Sequence, residues 1–439
     1  MEKKQCRGLI IQNNPFSYNT GNGKTIASMF SEWDSENLAQ IFTSNLQPDF
    51  SICKNYFKMS DGAAVKSFFK RIPFGQEILQ GEDNSIKCMN DDDGRALLKN
   101  HGKRLRCWMS ESSFVIVLRD LIWQKSKWEN NFFIKWLDKV QPQFVFLSAG
   151  NLSVFYDMAL FICERYEIPL FVHIGDDYFI YRNGLNPWKN LHRRKMSKKL
   201  GQVIARSKCV IAICDKMAQL FKERYGGEYF ICMNSVEIQT EVRCKEKEPQ
   251  QDIKLVYAGN LGINRWKILN LIGQALAELQ QEGIHAKLDI YSSYTPGKRI
   301  LRKLTIPSVM QFCGSVFGEE LKRVKRDADI LVHVEAFDKK YRQLTYTAMS
   351  TKISEYLAAG KTILAVGPEE AASIEFLWKN NVAMVVTECS RHAIKEQLTH
   401  YVSTPEELKD MSYRALQIAK EKFSREINAK KIYKIISES

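Results

Sequence analysis

Short apolar runs alternate with amphipathic stretches along most of the 439 residues, and this alternation constrains the fold more than any other feature. The apolar runs have the length and composition of buried strands, whereas the stretches between them have helical spacing. Parallel strands need a crossover connection, which an α-helix supplies. The pattern therefore predicts an α/β protein of Rossmann-like, doubly wound domains. The predicted strands are 8–12, 144–148, 170–174, 209–214, 229–233, 254–258, 287–292, 309–312, 330–334, 363–366 and 383–386.

A polar, charge-rich stretch at 239–252 separates the two sets of strands and predicts a linker. It leaves an N-terminal domain of 1–238 and a C-terminal domain of 253–422, each long enough for its own doubly wound sheet. The pattern of 423–439 predicts a final helix that can pack back on the N-terminal domain. Ligands of such sheets bind at the carboxyl ends of the strands. We therefore expect two domains facing a central cleft, with reactive residues directly after the strands.

The net charge of +14 indicates anionic partners. Phosphorylated ligands and an anionic membrane surface both fit it, whereas no nucleic-acid-binding motif accompanies it, so we expect no nucleic acid. No apolar run approaches the ~18 residues of a spanning helix, and the N-terminus has no signal-peptide pattern. The 11 cysteines are odd in number and include no CxxC pair, which disfavours structural zinc and a disulfide framework. We predict a cytoplasmic protein.

The segment Ala348–Lys361, AMSTKISEYLAAGK, carries the strongest candidate site. Ser350 or Thr351 suits the N-cap of a helix, which leaves free backbone N–H groups beside Lys352. Glu355 falls about one turn further along, where a carboxylate can accept both hydroxyls of a ribose. The alternative is a capped amphipathic helix with solvated charges.

A glycine-containing turn, GNLGINR, follows the predicted strand 254–258. Gly259 and Gly262 let the backbone approach a ligand, and Arg265 can supply the bidentate charge that a diphosphate requires. The alternative is an ordinary strand-to-helix turn with a surface arginine.

A second glycine-rich loop, Asn13–Thr25, follows the first predicted strand. Its letters TGNGKT resemble part of a Walker A loop, but Tyr18 stands where the first glycine of that motif belongs, so no P-loop is expected. Gly21 and Gly23 are candidates for backbone contacts to a phosphate or an acceptor.

Acidic and imidazole groups lie at the end of the predicted strand 170–174. His173, Asp176 and Asp177 are placed where the cleft is expected. Two carboxylates so close raise the pKa of one of them, which suits a general base for a hydroxyl group. The alternative is a core histidine and an aspartate that caps the following turn.

The segment Trp188–Lys208 is strongly basic, with Trp188, Leu191, Met196 and Leu200 interspersed. A basic amphipathic helix can lie on an anionic membrane surface, where each Lys or Arg contributes about 1 kcal/mol. A solvated helix face is the alternative.

The run Ser350–Pro368, STKISEYLAAGKTILAVGP, resembles the donor-binding signature of bacterial glycosyltransferases similar to family 4, the glycosyl transferases group 1. GNLGINR resembles the first phosphate loop of that domain, and IAICDKMAQLFKERYG and NPFSYNTGNGKT resemble parts of the first domain. The resemblance runs through nearly the whole chain and implies the two-domain glycosyltransferase B fold. It implies transfer from a nucleoside-diphosphate sugar to a saccharide or polyprenyl-diphosphate-linked acceptor in surface-polysaccharide assembly, with a peripheral position on the inner face of the plasma membrane.

The resemblance also implies roles by position. Arg265 and Lys352 would hold the diphosphate of the donor, Ser350 and Thr351 would add contacts, and Glu355 would bind the ribose. No acidic metal cage is evident beside these groups. We therefore expect neither a metal nor a cofactor other than the donor itself.

One position departs from the family pattern. Many relatives carry two Glu separated by seven residues, and Thr347 stands where the first would precede Glu355. Glu335 fills that place if 337–346 loops out. The resemblance implies retention of anomeric configuration, and an inverting transferase stays open. So do a sugar-nucleotide epimerase or hydrolase on the same fold and a non-catalytic sugar-nucleotide or membrane-binding module.

Overall fold

The computed structural model divides the chain into two compact units. The first comprises Met1–Cys232 and Asn428–Ser439, and the second comprises Met233–Ile427. Residues 239–251, nearly all of the predicted linker, lie outside the described residues. The structure describes residues 5–17, 21–80, 113–180, 186–238 and 252–438.

Unit 1 contains a sheet of eight strands within the described ranges, in the order β4-β3-β2-β1-β5-β6-β7-β8. Neighbouring strands are parallel except β4, which runs antiparallel to β3 at the edge. The strand order reverses between β1 and β5, which pair directly. The strands are β1 Gly8–Ile11, β2 Leu38–Phe42, β3 Asn55–Lys58, β4 Gln76–Ile78, β5 Phe144–Ser148, β6 Leu170–Ile174, β7 Cys209–Ala212 and β8 Tyr229–Ile231.

Helices connect these strands, and aromatic side chains fill much of the core beneath them. The ring of Phe30 lies at right angles to that of Phe146, with centroids 4.9 Å apart, and Trp33 packs on Tyr433 at 4.8 Å. The final helix therefore contributes to the core of unit 1. The helices are α1 Gly21–Met29, α2 Asp61–Lys70, α3 Ser113–Lys125, α4 Asn131–Val140, α5 Val154–Tyr166, α6 Pro187–Arg206, α7 Asp215–Tyr225 and, at the C-terminal end, α16 Arg425–Ser437.

Local sequence signals explain where α6 begins. The side chain of Asn186 accepts a hydrogen bond from the backbone N–H of Lys189, and Pro187 occupies the first turn, where its missing N–H costs nothing. Met196 and Leu200, one turn apart, are buried. The helix is therefore held by one apolar face while its charged face stays outside.

Unit 2 contains a six-stranded parallel sheet in the order β11-β10-β9-β12-β13-β14 within the described residues. This is the 3-2-1-4-5-6 order of a doubly wound nucleotide-binding domain, with its switch point between β9 and β12. The strands are β9 Ile253–Ala258, β10 Ala286–Tyr291, β11 Met310–Gly314, β12 Ile330–Val334, β13 Thr362–Val366 and β14 Met384–Val386. The helices are α8 Arg265–Gln281, α9 Lys298–Lys303, α10 Gly318–Arg326, α11 Lys339–Thr345, α12 Lys352–Ala358, α13 Ala372–Lys379, α14 Arg391–Ser403 and α15 Pro405–Ile418.

The predicted α/β class with two Rossmann-like, doubly wound domains is confirmed. The sequence pattern does not predict β2, β3 or β4. In β2 the polar Gln40 interrupts the apolar run, and it is buried because its side chain accepts a hydrogen bond from the backbone N–H of Phe16. β3 has only four residues, and β4, at the sheet edge, has three, so neither contains a long apolar run. No helix in the described ranges has the length and apolar character required to cross a membrane.

Candidate functional site

The switch point of the unit 2 sheet brings two of the predicted turns together. β9 and β12 are paired neighbours, so the residues that follow them emerge side by side. Gly259 follows β9, and Glu335 follows β12. The carboxyl edge at such a point is where doubly wound sheets bind ligands.

Arg265, which is partly exposed, forms an ion pair with the buried carboxylate of Glu335 at this edge. Arg265 Nη2 donates to Glu335 Oε2 at 2.8 Å, and Arg265 Nε donates to the same oxygen and to the carbonyl of Val334, both at 3.2 Å. Glu335 is only 2% exposed. The carboxylate of Glu335 therefore already balances much of the positive charge of Arg265, which the sequence predicts to contact a ligand's diphosphate.

Lys352 lies in the same edge without such a partner. Its ammonium nitrogen is buried and has no hydrogen-bond acceptor among the described residues. A Cβ added to Gly259 would lie 2.3 Å from that nitrogen, so the ammonium occupies the space that the glycine leaves open. Loss of hydration, followed by repulsion from Arg265, lowers the pKa of Lys352 to about 8.

Glu355 is held by a lysine that sequence reasoning does not single out. Lys325 Nζ, at the end of α10, donates to Glu355 Oε2 at 2.5 Å. Lys325 is buried, whereas Glu355 is partly exposed. Because Lys325 belongs to the basic run LKRVKR, nothing in the sequence distinguishes it from its solvated neighbours.

The site thus holds two ion pairs and one uncompensated cation. The pairs Arg265–Glu335 and Lys325–Glu355 cancel, and Lys352 contributes a net charge of about +1 in the part of the chain that the structure describes. An anion bound beside Lys352 would balance this charge.

The turn between β9 and α8 is tightly fixed. Ile263 and Asn264 both have left-handed backbone angles, with φ of 49° and 63°, which is strained for the β-branched isoleucine. Asn264 Nδ2 and Lys267 Nζ both donate to Asp338 Oδ1, at 3.1 and 3.0 Å. The N–H of Gly262 donates back to the side chain of Asn260 within the turn. These bonds hold the strained backbone and fix the start of α8.

His333 was not predicted and lies fully buried beneath Glu335. Its Nε2 is 2.9 Å from Ser373 Oγ and 3.6 Å from Glu335 Oε1. Burial, assisted by the nearby cations Lys352 and Arg265, lowers the pKa of His333 well below its usual range. A neutral imidazole therefore packs against the carboxylate. Its signal in the sequence, a polar residue inside the apolar run ILVHV, is weak.

Thr351 is the N-cap of α12, which is one of the two N-cap positions that the sequence predicts. Its side chain makes no cap hydrogen bond, and the helix has only seven residues. Ser350 and Thr351 precede Lys352 on the partly exposed surface. The stretch that was expected to loop out after Glu335 contains the helix α11, so a helix separates Glu335 from this segment.

His173 lies within β6, one residue before the strand ends, as the predicted strand 170–174 has it. It is 4% exposed, stacks on Phe146 with an interplanar angle of 18°, and has Nδ1 3.5 Å from Ser148 Oγ. Burial lowers its pKa to about 4, so the ring is neutral at physiological pH. The structure favours the core histidine that stood as the alternative.

The two aspartates after β6 differ in their surroundings. Asp177 Oδ1 accepts hydrogen bonds from the backbone N–H groups of Phe179 and Ile180, at 2.9 and 2.8 Å, and so caps the turn. Asp176 is exposed, and its Oδ2 accepts one hydrogen bond from Tyr178 Oη at 3.2 Å. Partial desolvation raises the pKa of Asp176, although water screens a group this exposed. Asp176 is the freer of the two for proton transfer.

The N-terminal glycines do not lie in a loop. α1 begins at Gly21, which places Gly23 in its first turn. Tyr18 lies outside the described residues. The predicted loop is therefore shorter than expected at its C-terminal end.

The predicted basic segment is the helix α6, but only part of it is available to a surface. Lys195 and Lys199 form ion pairs with Asp120 and Asp157 of unit 1. Trp188 and Leu191 are exposed at 44% and 54%. The exposed apolar residues of α6 therefore lie near its start. Exposed apolar residues also occur on α3, namely Phe114, Leu118 and Leu121.

Comparison with solved structures identifies the fold. The Anabaena protein HepE, in a crystal structure with UDP, has a TM-score of 0.62 at 10% identity and covers 99% of this chain and 100% of its own. Sucrose-phosphate synthase from Thermosynechococcus elongatus has a TM-score of 0.62 at 10% identity and covers 99% of both chains. WaaG, a glycosyltransferase involved in lipopolysaccharide biosynthesis, has a TM-score of 0.56 at 14% identity and covers 98% of this chain and 100% of its own.

These likenesses show that the chain has the two-domain glycosyltransferase B fold, as the sequence resemblance implies. A scan against protein-family models finds no match. A search of the curated proteins finds none either.

Proposed function

We propose that the protein is a glycosyltransferase that binds a nucleoside-diphosphate sugar in unit 2. The observation that carries the proposal is the buried ammonium of Lys352, which lacks a hydrogen-bond partner among the described residues and sits beside Gly259 at the switch point. A desolvated cation is stabilised when a ligand supplies its counter-charge. Crystal structures of HepE with UDP and with UDP-glucose support a uridine nucleotide as the first donor to test.

The donor's diphosphate would lie against Lys352 and Arg265. When the bond between sugar and phosphate breaks, negative charge grows on the leaving diphosphate, and cations already fixed in place stabilise it without reorganising. Arg265 is held by Glu335 and by the carbonyl of Val334, so its position does not depend on the ligand. We propose that this arrangement works without a metal ion.

The ribose of the donor would be recognised by Glu355. Lys325 fixes one oxygen of this carboxylate at 2.5 Å, while the side chain stays partly exposed. A carboxylate held in this way can accept hydrogen bonds from two neighbouring hydroxyls. Lys325 then acts as a positioning residue.

The acceptor would be a saccharide or a polyprenyl-diphosphate-linked saccharide of bacterial surface-polysaccharide assembly, handled by unit 1. Asp176 is the candidate general base because its carboxylate is exposed and, in the described part of the chain, accepts a single hydrogen bond, from Tyr178. We propose retention of anomeric configuration on the family resemblance alone. The NMR signal of the product's anomeric proton distinguishes this outcome from inversion.

We also propose a peripheral, cytoplasmic position on an anionic membrane. Trp188 and Leu191 at the start of α6 are exposed, and the ring of Phe114 on α3 packs against Trp188 at 5.3 Å. Exposed aromatic and leucine side chains beside Lys and Arg are typical of interfacial helices. Co-sedimentation with anionic vesicles should fall in Trp188→Ser/Leu191→Ser and stay unchanged in the exposed-residue control Leu46→Ser.

The decisive experiment measures nucleotide binding and sugar transfer together. Isothermal titration with UDP, GDP, ADP and dTDP identifies the nucleotide, and the matching sugar nucleotides are then assayed with saccharide and lipid-linked acceptors. Binding that is lost in Lys352→Met supports the donor site, and binding that survives there overturns it. Turnover of the donor without any acceptor would favour a hydrolase or epimerase instead.

A further inference from the structure

A basic cavity of about 510 Å³ opens on unit 1, outside the donor site proposed above. It lies between α6 and α7, and ligand pockets commonly have volumes of roughly 300–1,000 Å³. Among the described residues that line it none is acidic, so several cations face one space. The lining residues are Arg193, Arg194, Ser197, Lys198, Arg224 and Tyr225.

Hydroxyl groups form the polar floor of this basic cavity. Ser197 Oγ and Tyr225 Oη are 2.7 Å apart, and Arg224 Nη2 donates to Ser197 Oγ at 3.4 Å. Ser197 is buried, whereas Tyr225 is half-buried. The floor therefore combines a guanidinium with two hydroxyls that can rotate to donate to an anion.

The cations on the rim are uncompensated. Within the described ranges, no hydrogen bond or ion pair engages the side chains of Arg194 and Lys198, which are exposed. Their neighbours Lys195 and Lys199, on another face of the same helix, pair with aspartates of unit 1. One face of α6 is thus neutralised by the protein, and the face that lines the cavity is not.

The cavity is joined to the loop that carries the candidate base. Arg193 Nη1 donates to the carbonyls of Phe179 and Ile180, at 3.2 and 3.4 Å. The N–H groups of the same two residues donate to Asp177. Burial raises the pKa of Tyr225, and the charge of Asp177 adds to this rise. An anion in the basic cavity would therefore lie beside the loop that carries Asp176 and Asp177.

We propose that the basic cavity binds a phosphate or diphosphate group. Arginine guanidinium groups match phosphate oxygens in pairs, and a lysine adds a point charge. Resting on the function proposed above, the second part of the proposal is that this group is the carrier phosphate of the acceptor. The first part does not depend on sugar transfer.

The test is a titration of the full chain with pyrophosphate and, separately, inorganic phosphate. It uses a Lys352→Met background so that the donor site does not compete. In this background Arg194→Gln/Lys198→Gln should weaken pyrophosphate binding by about tenfold or more, because two charge-assisted contacts are lost. The control Lys208→Gln/Lys222→Gln removes the same charge from exposed lysines outside the cavity and should change binding by less than about twofold. Equal weakening in both pairs, or no weakening in the first, overturns the proposal.

A second arm separates a soluble phosphate from a lipid headgroup. Phosphatidylcholine vesicles that contain phosphatidic acid are sedimented with the same variants. Loss of pyrophosphate binding alone assigns the cavity to soluble phosphates, and loss of both assigns it to headgroup phosphates as well. If pyrophosphate binding follows the cavity residues but no sugar transfer is found, the acceptor part fails and the anion site stands. Thermal unfolding checks that each variant folds. Lys198→Arg keeps the positive charge and should therefore bind pyrophosphate as the Lys352→Met parent does.

Discussion

The ammonium nitrogen of Lys352 lies 4.6 Å from the centroid of the Tyr257 ring. A cation–π contact of this kind contributes about 0.5–2 kcal/mol, which is less than the several kcal/mol that removing an ammonium from water costs. Tyr257 therefore holds the cation in place but does not neutralise it. A bound anion would supply the stabilisation of the ammonium that Tyr257 does not. Lys352 is therefore the residue on which the donor site most depends.

Replacing Lys352 with methionine should weaken binding of the preferred nucleoside diphosphate by about tenfold or more, because one charge-assisted contact is lost. In the wild type, affinity should also fall as the pH rises from about 7 to about 9.5, since the ammonium with a pKa of about 8 loses its proton. Titration calorimetry across this range measures both effects. The exposed Lys298→Met serves as the control, and wild-type affinity in Lys352→Met would refute the site.

The same substitution should stabilise the unliganded protein at neutral pH. The pKa of Lys352 is about 8 when folded, below its usual 10.5. Protonation therefore favours the unfolded chain, and this penalty is present in full below about pH 8 and disappears as the pH rises to about 10.5. Lys352→Met should raise the free energy of unfolding by up to ~3 kcal/mol at pH 7. Urea unfolding at about pH 7 and pH 10 should show a much larger advantage at the lower value, and an equal difference at both contradicts it.

The strand and turn pattern predicts part of the site, because the turn with Gly259 and Arg265 directly follows the apolar run of β9. Lys352 and Glu355 are predicted instead from the helix-start pattern of Ala348–Lys361. Their counter-charges could not, because Lys325 lies in a run of similar charges, and its pairing with Glu355 depends on tertiary packing alone. Single-sequence patterns do not report which partner a charged side chain meets.

The unit 1 residues show the same limit. A histidine near the end of an apolar strand can be either a reactive group or a core residue. The alternation of side chains along β6 does not distinguish these two roles. In the structure Phe146 stacks on His173 and buries it. The sequence does not predict β3 and β4 for a different reason, since short strands with polar positions lack the apolar run by which a buried strand is recognised.

Gly259→Ala tests the space around the ammonium without removing any charge. The added Cβ would lie 2.3 Å from Lys352 Nζ, so the flexible end of that side chain has to move. We expect the fold to be retained and nucleotide affinity to fall by about tenfold, as a displaced cation loses its contact. Gly297→Ala is the matched control, because its Cβ would meet nothing within 4 Å. Equal affinities in the two variants would show that the position of the ammonium does not matter.

Glu355→Ala should raise the donor KM by about tenfold through loss of the ribose contacts. Lys325→Met leaves the carboxylate in place but removes its partner at 2.5 Å, so it should raise KM by a smaller factor. A deoxyribose donor analogue separates the two roles. The analogue should bind more weakly than the ribose form in the wild type and equally well in Glu355→Ala, and a persistent preference for ribose in that variant would assign the ribose contact elsewhere.

Asp176 and Asp177 are distinguished by substitutions that separate charge from hydrogen bonding. Asparagine at 177 keeps an oxygen that can accept from Phe179 and Ile180, so Asp177→Asn should retain most activity. Asp177→Ala loses this cap and should lower stability by about 0.5–2 kcal/mol.

Asp176→Asn removes the proposed base and should lower kcat by about 10²–10⁴ with an unchanged melting temperature. In the wild type, kcat/KM should fall on the acid side as the raised pKa of Asp176 is crossed, because only the ionised carboxylate accepts a proton. That acid limb should be absent in Asp176→Asn. Wild-type rates in both asparagine variants would exclude either aspartate as the base and move the search to the substrate itself.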